Sequence, residues 1–396
     1  MALAGTVGTR TLSKTMGAGM LAGAAAGLLW MAARRYGRGR EAEIIDWGQV
    51  SAVALRTSQA LPWFAAGERE RTEADYAEML REIAEPLQSY TGSNLDLSKS
   101  QVRALDRPEW ISANVANFHD LLRPLEELYR ERANPSRMDM PGVAAAGRMV
   151  LSAEVGVLLG YLARRVLGQY DISLLGARSA NPGTLYFVEP NIRAVQEKLS
   201  LPEREFRLWL ALHEATHVHE FEGFPWVREY LNTTVQQYID SMVSHLREGG
   251  GSLRTMLERT LDHISIGGGL LEGIMTEEQR QLVSKLQALM CLLEGYSNHV
   301  MNSLGRELLP HFAMIEERVE ERSRRRSAAE QLFLRVTGLQ MKMDQYRLGA
   351  EFVNRIVQTH GIDFLNQVWK GPENLPTEQE IREPEVWAKR MAAVSA

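Results

Sequence analysis

Cysteine occurs once, at Cys291, in a chain of 396 residues. No internal disulfide can form, and so low a count fits a reducing compartment. Positive charge is not in surplus either: 45 lysines and arginines stand against 50 acids, for a net charge of -5. That balance argues against the broad basic face on which general nucleic-acid binding relies. The triple-glycine runs at 249–251 and 267–269 lack the Gly-Lys-Ser/Thr ending of a phosphate loop and read as flexible connections. With 45% hydrophobic residues the chain can build a core without a structural metal.

What the chain has at its start is a run without charge. Residues 16–33, "MGAGMLAGAAAGLLWMAA", would span roughly 27 Å as a helix at about 1.5 Å per residue. Gly19, Gly23 and Gly27 recur every four residues, the spacing that lets membrane helices approach. Arg34, Arg35, Arg38 and Arg40 follow, against Arg10 and Lys14 before, which would keep the main domain on the cytoplasmic side. A single membrane anchor is the leading expectation. A Gly/Ala-rich helix packed on the domain is the second, and a cleaved signal peptide the third, since arginines occupy its expected cleavage site.

Beyond residue 43 the expected fold class is mainly α with a small β-sheet, in one domain covering 44–396. "YAEMLREIAEPLQSY" and "NFHDLLRPLEELYRERA" carry apolar residues at helical spacing. Residues 142–168 read as a central core helix, apolar on most faces. Strand signals are confined to "YDISLL" at 170–175 and "TLYFVE" at 184–189, joined by a turn-rich stretch. The second of these is a candidate edge strand for an extended peptide. The prolines at 372, 376 and 384 divide the C-terminal tail into short helical pieces.

Histidine is scarce, nine in all, yet three fall at 213, 217 and 219. Ser200 and Glu203 form an S-x-x-E capping pattern, Pro202 suits a first turn, and Gly223 and Pro225 stop the helix. His213 and His217, four apart on that helix, project from one face, as two nitrogen ligands of one metal must. Glu214 is rotated about 100° from His213, within reach of a water held there. The pentapeptide "HEATH" is the His-Glu-x-x-His pattern of zinc metallopeptidases. His219 points elsewhere and reads as a hydrogen-bonded or exposed histidine.

A catalytic zinc needs a third protein ligand. The metzincin solution fails, because Glu220 and Gly223 stand where glycine and histidine would be required. A carboxylate on a later helix is the other solution. "TEEQRQLVSKLQALMCLLEGYSNHVMNSL" opens with a capping box at Thr276 and Gln279 and carries Glu294 in an otherwise apolar stretch. A carboxylate there is costly unless it is paired or bound to metal. Asn298, one turn on, could orient a ligand imidazole, and Gly295 would let another backbone come close. Asp240, His245, His263 and His299 compete with Glu294 as third ligand.

The segments "FRLWLALHEATHVHEFEGFPWVREYL", "LLEGYSNHVMNSLG" and "KMDQYRLGAEFVNRIV" together resemble a zincin-like family of uncharacterised actinobacterial and Chloroflexi proteins. That family is grouped with zinc-dependent metalloproteases and labelled as hydrolases; one branch is associated with biosynthesis of a deazaflavin coenzyme. The resemblance runs from Ile44 to "EPEVWAKRM". It implies a zincin-like metallopeptidase fold and a gluzincin-like zinc hydrolase. In thermolysin-like relatives a glutamate, followed four residues later by aspartate, completes the metal shell. Glu294 and Asn298 are similar, with asparagine replacing the aspartate.

The expected reaction is hydrolysis of an amide bond, in a peptide or small amide, assisted by one zinc ion on His213, His217 and Glu294. Glu214 is the expected general base. Tyr296 and His299, with Lys342 and Tyr346, are candidates to stabilise the oxyanion because they sit in the family-like motifs. A zincin-fold scaffold with a structural or vestigial metal, and a hydrolase of a non-peptide amide or ester, are the rival readings.

Overall fold

A computed structural model describes residues 44–59, 61–93, 95–132, 141–171, 183–247, 275–324 and 339–394. The charge-free segment at 16–33 and its basic flank, both triple-glycine runs, His263 and residues 172–175 lie outside them. In chain order the larger elements are α1 (Trp47–Ser58), α2 (Glu68–Thr91), β1 (Val102–Leu105), α3 (Arg107–Arg132), α4 (Pro141–Ala163), β2 (Gly168–Tyr170) and β3 (Leu185–Val188). There follow α5 (Glu189–Leu199), α6 (Glu203–Glu222), α7 (Pro225–Arg247), α8 (Glu277–Leu308), α9 (Phe312–Arg324) and α10 (Leu339–His360). Short pieces α11 (Ile362–Leu365), α12 (Glu378–Arg382) and α13 (Pro384–Val394) complete the tail, with two 3-10 turns between α11 and α12. Mainly α with a small sheet is therefore the architecture.

The sheet has three strands in the order β1-β3-β2. β1 runs parallel to β3, with Val102 opposite Leu185, and β2 runs antiparallel to it, with Gly168 opposite Phe187. The segment expected as an edge strand is thus the central one. Leu185, Phe187 and Val188 are buried, and hydrogen bonding on both sides leaves β3 no free edge for a peptide. β1 and β2 are the edges, and β2 lies against α6.

Local chemistry explains most boundaries, with one correction. Ser200 does not cap α6; it sits in the left-handed region with φ 50° and ends α5, its N–H bonded back to Gln196 and Glu197 carbonyls. α6 starts after Pro202, whose extended backbone needs no donor of its own. The box at the head of α8 forms as the sequence suggests: Thr276 accepts from the Gln279 N–H and the Gln279 side chain accepts in return. α4 is not a central core helix. It packs on α1 at Gly156 and Gly160, where a Cβ would strike Val53 and the Ala54 carbonyl, while Met149, Val150 and Val157 face outward. No helix among the described residues is long and apolar enough to cross a membrane.

α6 lies in the middle of the molecule, against α2, β2, α7 and α8. Its buried set, Phe206, Leu208, Leu210, Leu212, Val218 and Phe221, covers most of its circumference. α8 packs on α6, α7 and α10 through Leu282, Leu286, Leu289 and Leu293 at helical spacing. Its contact with α10 is set by glycine. A Cβ on Gly295 would strike the Gly349 carbonyl, and one on Gly349 would strike the Cys291 carbonyl. Gly295 does admit another backbone, as its place beside Glu294 suggested.

Candidate metal centre

α6 and α8 bring His213, His217 and Glu294 together. One ligand atom from each lies within 4.8 Å of the others, the arrangement a single ion requires. His213 Nε2 is 3.7 Å from Glu294 Oε2. Two donors about 2.1 Å from a tetrahedral ion stand roughly 3.4 Å apart, so the pair is close to metal-ready spacing. The imidazoles are 4.8 Å apart, centre to centre, and nearly perpendicular. The side chains of His213 and Glu294 keep 19% and 18% of their exposure, so the group is reachable from solvent. The donor chemistry, two imidazoles and a carboxylate, suits zinc.

Electrostatics separates His213, His217 and Glu214. Burial, and then the neighbouring His217, pushes His213 down to about 4, so it stands neutral with a lone pair to give. Burial opposes charge on His217 as well, but Glu220, Glu294 and Glu214 outweigh it and raise that imidazole. Glu214 is only 6% exposed, and burial lifts its carboxyl to about 7. The charge of His217 lowers it and that of Glu294 raises it further.

Glu214 lies against β2. Its side chain fills the space where residue 168 would carry a Cβ, and the nearby Tyr170 backbone favours its ionised form. A methyl at Gly168 would lie 2.5 Å from Glu214 Oε1. β2 is itself tied to α6 and α7: Tyr170 donates to Glu222, and Arg228 donates to Glu222 Oε1 at 2.8 Å and to Asp171 Oδ2 at 2.7 Å.

Two groups near the donors are not evident from the sequence. Glu220 is fully buried; its Oε2 accepts from His217 Nδ1–H at 2.7 Å. Ser297 Oγ lies 3.1 Å from that nitrogen and 3.2 Å from Glu220 Oε1. The hydrogen-bonding group beside a donor imidazole is therefore Ser297, one residue before the Asn298 expected there. The His-x-x-Glu spacing of 217 and 220 is the available signal.

Tyr296 and His299 are not gathered around the donors. The Tyr296 hydroxyl, fully buried, donates to Asn366 Oδ1 at 2.8 Å. His299 is held 2.7 Å from the Tyr90 hydroxyl and 2.7 Å from Asn354 Oδ1. Neither placement supports the oxyanion role expected of them; membership of a motif does not fix where their polar atoms point. Lys342 and Tyr346 lie on α10, with side chains outside the described residues. Asp240, a rival ligand, accepts from Gln236 on the exposed side of α7. His219 is neither exposed nor hydrogen-bonded. It is buried among Phe224, Tyr296 and Trp369, with no partner at either nitrogen, and burial lowers it to about 4.

The model of the zincin-like metallopeptidase family matches residues 45–388. The chain belongs to that family. It is also similar to a solved structure from Chloroflexus aurantiacus, described as a "putative hydrolase with a novel fold", at 39% identity and a TM-score of 0.64. That match covers 88% of this chain and 99% of the other. No curated protein matches. Family membership implies zinc binding and a hydrolase, the activity class for which the donor group is suited.

Proposed function

We propose that the protein is a zinc-dependent hydrolase of gluzincin-like type that cleaves an amide bond, in a peptide or a small amide. His213, His217 and Glu294 would hold the ion. Zinc bound there supplies Lewis acidity to a water and to the scissile carbonyl. The observation that carries the reading is the pairing of a donor triad with a buried carboxylate on the same helix: Glu214 follows His213 directly.

Glu214 has what a general base needs. Its surroundings bring its proton affinity to about neutrality, where a group can take a proton and release it again. The close wall at Gly168 confines it on one side. It would take a proton from the attacking water and give it to the departing amine. His213, neutral and partly open, would leave room on the outer side of the triad for substrate. That exposure favours an enzyme over a scaffold, because structural zinc sites are closed by four protein ligands.

The deciding experiment measures zinc content and hydrolysis of peptide libraries for the wild type and Glu214→Gln. Zinc retained with hydrolysis lost supports the assignment. Equal turnover by both proteins, or metal without turnover in the wild type, would sink it.

A further inference from the structure

A carboxylate with no solvent contact persists in a protein interior only where something inside binds it. Glu220 is such a group, fully buried on α6. The proposed hydrolysis does not use it, since it is neither one of the three donors nor the base. Its two oxygens nevertheless point at two specific atoms. Oε2 accepts from His217 Nδ1–H at 2.7 Å, and Oε1 lies 3.2 Å from Ser297 Oγ. Ser297 stands on α8, one turn beyond Leu293, whose carbonyl is 3.0 Å from the same hydroxyl. Glu294 lies between those two positions. The contacts therefore run from one donor imidazole, through a buried carboxylate and a hydroxyl, to the turn of α8 that presents the donor carboxylate.

We infer that Glu220 and Ser297 are positioning residues that preset the metal centre before an ion arrives. This rests on the zinc reading proposed above. With Nδ1–H committed to Glu220, His217 is left with Nε2 as its only lone pair, and the ring cannot turn without breaking a bond to a buried charge. Ser297, bonded across the interface, fixes how far α8 is slid along α6 and hence where Glu294 stands relative to the imidazoles. The role of residue 220 also explains the break from the metzincin pattern. That arrangement needs glycine at this point so that the chain can turn toward a third histidine. Here α6 continues to Glu222, and the same position supports the second ligand instead of releasing the chain.

The test compares the full chain with Glu220→Gln, Ser297→Ala and the double variant. For each, zinc affinity is measured by competition with a chromophoric chelator, and unfolding of the metal-free protein by circular dichroism. Positioning predicts that Glu220→Gln weakens zinc binding about 10- to 100-fold, the usual consequence of losing an outer partner of a ligand. Ser297→Ala should weaken it by a smaller factor. The double variant should lose less than the product of the two, since Ser297 and Glu220 are hydrogen-bonded to each other in one network. A purely structural role predicts a lower unfolding midpoint with wild-type zinc affinity, and that result overturns the inference. If Glu220→Gln does not fold, Ser297→Ala decides alone: unchanged affinity counts against it. A wild-type chain that takes up no zinc would overturn the hydrolase reading as well, whereas zinc bound equally by all variants overturns this inference only.

Discussion

α6 and α8 each give the metal centre a donor surface, but they reach it by different means. α6 sets two imidazoles and the carboxylate proposed as base within five positions, so a single turn of helix fixes their relation. α8 gives one carboxylate from far along the chain, and nothing local fixes where it stands. Its place depends on the crossing at Gly295 and Gly349 and on Ser297 reaching Glu220. A local motif tolerates damage elsewhere in the fold; a donor placed by packing does not. The same contrast holds for Glu214, whose position on α6 is local but whose carboxyl packs against β2 at Gly168.

Substitutions can separate the two modes. The largest effect should come from the local side: Glu214→Gln lowers turnover by about 10²–10⁴-fold, the worth of a general base, with zinc content unchanged. Gly168→Ala should come next. Its methyl would push Glu214 from its seat, and a displacement on the order of 1 Å costs about 10²-fold in rate. Zinc affinity should stay near wild type, because the methyl meets Glu214, which is not one of the three donors; a matching loss of zinc would show that β2 supports the metal as well.

Gly349→Ala attacks the packed side. The added carbon meets the Cys291 carbonyl, so α8 and α10 must separate, at a cost of about 1–3 kcal/mol by denaturant unfolding. Zinc affinity should fall with it, since Glu294 lies next to the crossing. Stability lost with zinc affinity unchanged would mean that α8 is placed by α6 and α7 alone. The smallest effect belongs to Thr276→Ala, which removes the cap at the distant end of α8. It should cost about 1 kcal/mol and leave zinc affinity unaltered. A change in zinc binding there would show that α8 moves as one rigid rod.

What can be read from the sequence follows the same division. The grouping of His213 and His217 on one face, with Glu214 beside them, is legible because helical spacing alone relates them. Glu294 is legible because a carboxylate in "ALMCLLEG" is too costly to leave unexplained. The partner of His217 is not. Asn298 shares a face with Glu294, but which neighbour reaches an imidazole on another helix depends on how the two helices cross, and the answer is Ser297. Glu220 reads as one more acid in a charged helix, and only its burial sets it apart. Tyr296 and His299 stand out for the motif around them, yet their partners Asn366, Tyr90 and Asn354 come from other parts of the chain. β1 is hidden because four residues with an exposed Arg103 give too little pattern. The exposed face of α4 is hidden for the opposite reason, since apolar residues all round do not say which side is covered.

X-ray absorption on the zinc-loaded protein, wild type beside Glu294→Gln, tests the central claim most directly. The expected result is one zinc with two imidazole nitrogens at about 2.0–2.1 Å and a carboxylate oxygen at about 2.0–2.2 Å, the oxygen altered in the variant. A wild-type shell that the Glu294 change leaves untouched would contradict it.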